Sequence, residues 1–252
     1  LGMALATSVF YAYGVNEGFA ILICTMSLIL LLPILSKELN YKAGHEAQLY
    51  KNRLTFNELV LGIRQSMFNP SAFAAIIFML FANIGYGIFD VIYNEFYIKE
   101  LGWNGEEIGH MRPYGMWLGG LIGLSAGLMT LYFRKRSLLL FFVIGQAVVF
   151  LTASTLSYET SILLTSAVLI GVDAVDAGWS VLIFSILMAL CTTQTSATNF
   201  GIFMGFGNIS MLIGNNIAPA ILGSGDFTFA FIFAALTLIP CLISGYYLTK
   251  ET

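Results

Sequence analysis

Charge is scarce in this sequence of 252 residues, since only 10% of them are Asp, Glu, Lys or Arg. A soluble domain carries about 25% charged residues, because these side chains cover the surface that faces water. The 11 basic and 14 acidic residues are too few to coat a soluble body of this size. The net charge of −3 is also too small, and its residues too scattered, to indicate a nucleic-acid partner. The scarcity of charge therefore argues against an ordinary soluble domain.

Cysteine and histidine are also rare, which removes the usual ligands of metal and redox sites. The three cysteines lie in apolar runs without a CxxC pair and are interpreted as packing residues. The two histidines lie in predicted loops and have no HExxH partner. The sequence has no GxSxG motif and no Walker lysine, and Gly205-Phe206-Gly207 lacks the third glycine of a dinucleotide loop. We therefore expect no enzyme, no metal site and no cofactor.

Long apolar runs are what the sequence has in abundance. Hydrophobic residues make up 58% of the chain, and the mean hydropathy is +0.84. A helix needs about 20 mostly apolar residues to cross roughly 30 Å of bilayer hydrocarbon. The runs that approach this length lie at residues 1–14, 19–36, 72–97, 114–133, 138–156, 162–190, 199–222 and 227–248. Because the first run starts at Leu1 and is short, we expect it to be the tail of a span and the chain to be a fragment of a longer membrane protein.

Basic residues alternate between the predicted loops and indicate the orientation. Nine of them lie in residues 37–71, in residues 134–136 or at Lys250, all on one side of the membrane. Lys99 and Arg112 are assigned to loops on the opposite side. Cytoplasmic loops carry the excess of Lys and Arg. The sequence therefore predicts that residues 37–70 and the C-terminus are cytoplasmic.

The long polar stretch at residues 37–70 is predicted to be a linker with one amphipathic helix. Thr55-Phe56-Asn57-Glu58 matches a capping box, which starts a helix. Apolar residues then recur at helical spacing, namely Phe56, Leu59, Val60, Ile63 and Met67. Such a helix lies at a membrane surface, with a soluble docking helix as the alternative.

A central cytoplasmic linker followed by six spans is the layout of the second half of a major facilitator superfamily transporter. On this layout residues 1–36 are the end of the N-terminal helical half, holding the tail of helix 5 and helix 6. Residues 37–70 are the linker, and residues 71–252 form a C-terminal six-helix bundle of helices 7 to 12. The predicted fold class is thus an all-α membrane protein with this bundle preceded by the end of the N-terminal half.

Two acids in the fourth bundle span are the strongest candidate site residues, because ionisable groups are costly within a membrane. Asp173 and Asp176 are three residues apart and share a helical face, roughly 18 Å into the span. Two carboxylates so close in a medium of low dielectric disfavour double ionisation, so one can hold a proton near neutral pH. A proton-coupled carrier needs such a group. The alternative is a structural pair that hydrogen-bonds neighbouring helices.

Polar side chains in the first and fifth bundle spans are predicted to line the pathway of a solute. Asn83, Asp90 and Asn94 are spaced by seven and four residues, which places them on one helical face. Asn208 lies seven residues before Asn215 in the fifth span. Solvation at the membrane surface is the alternative for Asp90, and hydrogen bonding between packed helices is the alternative for Asn208.

Glycines at four-residue intervals mark two predicted packing faces. They are Gly115, Gly119, Gly123 and Gly127 in the second bundle span, and Gly201 and Gly205 in the fifth. A stripe of small residues lets a neighbouring helix approach closely. Helix packing is the favoured interpretation, and in a moving carrier such an interface is also where sliding occurs.

Two stretches carry a family resemblance. Residues 187–191 read Leu-Met-Ala-Leu-Cys, and residues 196–200 read Ser-Ala-Thr-Asn-Phe. This pair resembles the LMxLC…SATQF pattern between helices 10 and 11 of AmpG-type muropeptide permeases in the major facilitator superfamily. Residues 96–103 resemble the outer loop after helix 7 of the same family. The resemblance extends from Phe19 to Tyr247, and acetyl-CoA and siderophore carriers share a related SAT pattern.

The resemblance implies a proton-coupled permease that imports cell-wall muropeptides through the bacterial inner membrane by alternating access. Its partners would be the small-molecule substrate, protons, the lipid bilayer and the missing N-terminal transporter half. A carrier of another solute, acetyl-CoA-like or siderophore-like, is the first alternative. A non-transporting membrane scaffold is the second. A membrane-embedded enzyme would need a catalytic cluster at one depth, and the sequence indicates none.

Overall fold

A computed structural model of the chain describes Cys24, Ser27 and residues 56–191, 196–223 and 226–248. The chain divides into two compact units, Leu1–Leu61 and Gly62–Thr252. In the first unit the described residues are Cys24, Ser27 and the beginning of a helix at Phe56, all of them helical. The predicted span at residues 1–14, the span at residues 19–36 apart from Cys24 and Ser27, and most of the predicted linker lie outside the described residues.

Every regular element in the described part of the chain is an α-helix, which confirms the prediction of an all-α protein. In chain order the helices are α1 (Phe56–Met67), α2 (Pro70–Ala82), α3 (Ile84–Lys99), α4 (Gly105–Met129), α5 (Lys135–Ala153), α6 (Ile162–Leu190), α7 (Ser196–Leu222), α8 (Phe227–Leu236) and α9 (Ile239–Leu248). Helix α1 lies where the amphipathic helix is predicted.

Four helical segments are long and apolar enough to cross a membrane. They are Pro70–Lys99, which joins α2 and α3, Lys135–Ala153, Ile162–Leu190, and Phe227–Leu248, which joins α8 and α9. Helices α4 and α7 occupy the other two runs predicted within the bundle, and glycine and polar residues interrupt both of them. The four apolar helices indicate a multi-pass α-helical membrane protein.

Helix α6 packs against α4 on one side and α5 on another, and α7 packs against α2 and α3. Helices α8 and α9 contact α5, with α8 also on α3 and α9 also on α2. Buried aromatic rings make contacts between α3, α5 and α8. The Phe89 ring centroid lies 6.3 Å from those of both Phe150 and Phe231, and Phe96 lies 4.8 Å from Phe231. Large apolar side chains such as Leu121, Phe141 and Leu163 face outward, as expected for surfaces that meet lipid.

The first bundle span is broken at Asn83, where α2 ends and α3 begins. The backbone of Asn83 has φ −100° and ψ 0°, outside the helical region. Its backbone N–H donates to Ser210 Oγ at 3.0 Å, and its Nδ2 donates to the carbonyl of Gly207 at 3.2 Å. Because Ser210 and Gly207 belong to α7, these bonds hold the break against that helix.

Helix α4 begins at Gly105, well before the run predicted to start at residue 114. The Asn104 side chain accepts from the Glu107 backbone N–H at 2.8 Å, and the Glu107 carboxylate accepts from the Asn104 N–H at 2.8 Å. This reciprocal pair is a capping box and fixes the helix start. The predicted loop position of Arg112 is therefore wrong. The first turns of α4 do not form an apolar run, because they contain the charged residues Glu106, Glu107 and Arg112.

Gly102, in the turn between α3 and α4, is the one described residue with positive φ, at +72°. A Cβ atom added there would lie 2.7 Å from Cε2 of the Tyr158 ring. We expect Gly102→Ala to lower the free energy of unfolding by about 1–2 kcal/mol, because other L-residues are strained in the left-handed region. Unfolding in detergent micelles measures the change.

Gly105→Ala is the matched control, since a Cβ at Gly105 would meet nothing within 4 Å. We expect it to change stability by no more than about 0.5 kcal/mol. Equal stability of the two variants would contradict the left-handed turn at Gly102.

Candidate functional site: a charged cluster between three helices

Arg112 lies between two carboxylates contributed by different helices. Its Nη2 donates to Asp90 Oδ1 of α3 at 2.6 Å. Its Nε lies 3.7 Å from Asp173 Oδ2 of α6. The side chains of Arg112 and Asp173 are only 11% and 7% exposed, while Asp90 is 37% exposed. Helices α3, α4 and α6 thus each place one charged group in a shared, largely buried cluster.

Two tyrosines of α3 complete the surroundings of the guanidinium and the buried acid. The Tyr86 hydroxyl donates to Asp173 Oδ1 at 2.9 Å. The Arg112 Cζ lies 3.9 Å from the centroid of the Tyr93 ring, within the range of a cation–π contact. Tyr86, Asp90 and Tyr93 are four and three residues apart, so one face of α3 carries all three. That face orients both Arg112 and Asp173.

Glycines let α4 approach α6 closely beside this cluster. A Cβ at Gly115 would lie 3.1 Å from Asp173 Oδ2, and one at Gly119 would lie 3.1 Å from the Asp173 carbonyl oxygen. A Cβ at Gly123 would lie 3.2 Å from Val181 Cγ2, and Gly127 is looser, with Val181 at 3.8 Å. The α4 stripe therefore packs on α6 and sets the depth at which Asp173 sits.

The two glycines predicted on α7 are in a different setting. A Cβ added at Gly201 or Gly205 would meet nothing within 4 Å. In the described part of the chain these positions do not form a close helix contact.

Asp176 lies one turn from Asp173 but does not share its partners. Its carboxylate lies close to the Trp179 indole. Its Oδ1 is shielded from solvent and has no hydrogen bond among the described residues, and the same holds for Asp173 Oδ2. Buried carboxylate oxygens usually have donors. The pair therefore has acceptor capacity that the described residues leave unused.

The three asparagines predicted to line a pathway lie in different surroundings. Asn83 is taken up by its bonds to α7, while Asn94 and Asn208 are exposed. The structure thus brings Asp90 and Asp173 together through Arg112, keeps Asp176 nearby, and leaves Asn94 and Asn208 outside this cluster.

Sequence reasoning missed Arg112, Tyr86 and Tyr93 as site residues. The capping-box pattern at Asn104 and Glu107 is the signal that would have placed Arg112 inside a helix. The contact with Asp173 itself joins residues far apart in the chain and has no local signal.

An open groove of about 360 Å³ runs along α4 and α6 beside the cluster. Tyr86 and Asp173 contribute to its lining, together with Gly119, Gly120 and Ala177. The groove therefore joins a wall of small residues to the buried acid.

No protein-family model matches the chain, and a search of curated proteins found no match. In the described ranges no group of three or more His, Cys, Asp or Glu side chains is placed to hold a metal ion. The fold defines the class as a multi-pass α-helical membrane protein with a charged cluster between α3, α4 and α6.

Proposed function

We propose that the chain is the C-terminal six-helix half of a proton-coupled secondary transporter that works by alternating access. The observation that carries the proposal is the cluster of Asp90, Arg112 and Asp173 within an apolar bundle. Ionisable residues among membrane helices are costly, and they commonly mark substrate pathways and proton relays.

The balance of charge supports a proton as one of the transported species. Asp90, Asp173 and Asp176 supply three carboxylates, whereas Arg112, which pairs with Asp90 and Asp173, supplies one guanidinium. An unbalanced buried charge is expensive, so excess carboxylates take up a proton or a cation. A proton on Asp173 or Asp176 meets this need. Release of a proton from Asp173 would strengthen the attraction between this acid and Arg112, and so distinguish two states of the bundle.

The backbone supports movement between such states. The first bundle span is broken at Asn83, and broken helices are a common feature of transporter sites. The glycine face of α4 gives α6 a smooth surface on which to slide. Both features lie on helices that contribute to the charged cluster.

The identity of the solute rests on the family resemblance at residues 187–191 and 196–200. On that basis we propose a muropeptide-like substrate and the bacterial inner membrane as the location. The distribution of Lys and Arg supports a cytoplasmic side for residues 37–70 and the C-terminus. Exposed Asn94 and Asn208 are the proposed polar contacts for the solute. Asn83 is less suited, because α7 already occupies its side chain.

Uptake by the full-length protein in liposomes with an imposed proton gradient tests the proposal. We expect Asp173→Asn combined with Asp176→Asn to abolish accumulation of a labelled muropeptide against its gradient, since the groups that take the proton are gone. Downhill exchange of the solute should continue. Asp226→Asn is the matched control, because Asp226 caps α8 away from the cluster and asparagine preserves that cap.

Wild-type accumulation by the double variant would show that neither acid couples transport to the proton. Accumulation in the wild type that ignores the proton gradient would contradict proton coupling as a whole.

A further inference from the structure

We infer that the turn between α4 and α5, together with the last turn of α9, binds the phosphate headgroup of an anionic phospholipid. The side chains that supply the positive charge are Arg134, Lys135 and Arg136. The inference concerns contact with the membrane, and it does not depend on transport of a solute.

The protein does not balance the positive charge of this turn. Arg134 is exposed, while Lys135 and Arg136 are partly buried. None of the three side chains forms an ion pair with another described residue. The sequence explains this, because three long stretches around the turn and its neighbouring helices lack Asp and Glu, namely residues 108–158, 177–225 and 227–250. The three cations can therefore bind an anion from outside the chain.

Helix α9 holds one of these cations in place. The Cζ atom of Arg136 lies 3.6 Å from the centroid of the Tyr246 ring, which is a cation–π contact. The ring covers one face of the planar guanidinium and leaves the N–H groups at its edge able to donate. Arginine commonly donates two such bonds to one phosphate. Arg136 is thus a fixed phosphate donor at the junction of α5 and α9.

Exposed aromatic and apolar side chains lie beside the cations. Tyr132 is 84% exposed, and Phe133, Tyr246 and Tyr247 are exposed as well. Tyrosine is enriched where membrane helices meet the lipid headgroups. A phospholipid would place its phosphate among the cations and its acyl chains against Leu131 and Phe133, whereas a small soluble anion would leave these two side chains uncovered. The observations therefore favour a lipid over a free anion.

The acids of α4 are too far away to repel the headgroup. Glu106 and Glu107 lie in the first turn of α4, and the basic turn follows the other end of this helix. A helix of 25 residues is about 37 Å long. Salt screens exposed charges over about 8 Å at physiological ionic strength. The basic turn therefore presents a locally positive surface, although the net charge of the whole chain is negative.

Native mass spectrometry of the full-length protein in a mild detergent tests the inference. Dioleoylphosphatidylglycerol is the anionic lipid, and dioleoylphosphatidylcholine has the same acyl chains without a net charge. Glycerol phosphate supplies the anion without acyl chains. The test variant combines Arg134→Gln, Lys135→Gln and Arg136→Gln. The control is Arg64→Gln, which removes an exposed basic side chain outside the turn.

We expect the wild type to bind phosphatidylglycerol at least about tenfold more tightly than phosphatidylcholine, because each basic residue near an anionic headgroup strengthens binding about fivefold. The triple variant should lose most of this preference, and Arg64→Gln should change it by less than about twofold. Tyr246→Leu should weaken phosphatidylglycerol binding about two- to fivefold, since Arg136 loses the ring that holds it. Glycerol phosphate at an equal concentration should not compete.

An unchanged lipid preference in the triple variant would overturn the inference. An equal loss in Arg64→Gln would show a general effect of net charge, and equal binding of the two lipids would show apolar contact only. Competition by an equal concentration of glycerol phosphate would show a site for free anions. Each of these three results also overturns it. Lipid binding is measured without a proton gradient, so the result is separate from the outcome of the uptake experiment.

Discussion

Replacing Arg112 with glutamine is expected to destabilise the protein by roughly 3–5 kcal/mol, because removing one partner of a buried ion pair leaves an uncompensated charge. Asp173, at 7% exposure, would lose the cation beside it, and Asp90 would lose its 2.6 Å hydrogen bond. The stacking of the guanidinium on Tyr93 would also be lost. The free energy of unfolding in mixed micelles measures the effect.

The control for this variant is Lys99→Gln. Lys99 pairs with Glu95 one turn away, and both side chains are substantially exposed. Exposed pairs of this kind contribute about 0–1 kcal/mol, so little change is expected. Arg112→Lys should fall between wild type and Arg112→Gln, because lysine keeps the charge but loses the planar fork and the stacking. Equal costs for Arg112→Gln and Lys99→Gln would mean that the cluster does not hold the three helices together.

Gly214→Ala is expected to cost about 1–3 kcal/mol through overpacking, or more if the helices cannot separate. A Cβ at Gly214 would lie 2.3 Å from the carbonyl oxygen of Ile84 and 3.1 Å from the Cα of Gly87. Both atoms belong to the backbone of α3, so no side-chain rotation can relieve the clash. Helix α7 would have to move away from the break at Asn83. Thermal unfolding and the free energy of unfolding both report this change.

Gly201→Ala provides the comparison on the same helix, since its Cβ would meet nothing within 4 Å. Alanine is the better helix former by about 1 kcal/mol, so a small gain in stability is expected. If the two substitutions had the same effect, the close contact between α7 and α3 would be contradicted.

Much of the fold was predictable because long apolar runs dominate the sequence. The run predicted at residues 162–190 coincides with α6, and the run at residues 227–248 coincides with α8 and α9 together. The start of α4 was not found, because its first turns carry Glu106, Glu107 and Arg112. Apolar periodicity does not mark the start of a helix that begins in polar sequence. The capping-box pattern at Asn104 and Glu107 does mark it.

The candidate site was predictable only in part. The spacing of Asp173 and Asp176 singled them out, and Asp90 was found by its place on a polar face. Arg112 was missed because its role depends on α3 and α6 meeting α4, which no local pattern records. The break at Asn83 was missed for a similar reason, since its partner Ser210 lies on a distant helix. Long-range packing, not local propensity, determines both features.

Arg112 and Asp173 compensate each other's charge inside the helical bundle. A double-mutant cycle with Arg112→Gln, Asp173→Asn and the combined variant measures their interaction in the free energy of unfolding. We predict a coupling of at least about 1.5 kcal/mol, with the double variant much less destabilised than the sum of the single ones. Simple additivity of the two substitutions would contradict charge compensation between Arg112 and Asp173.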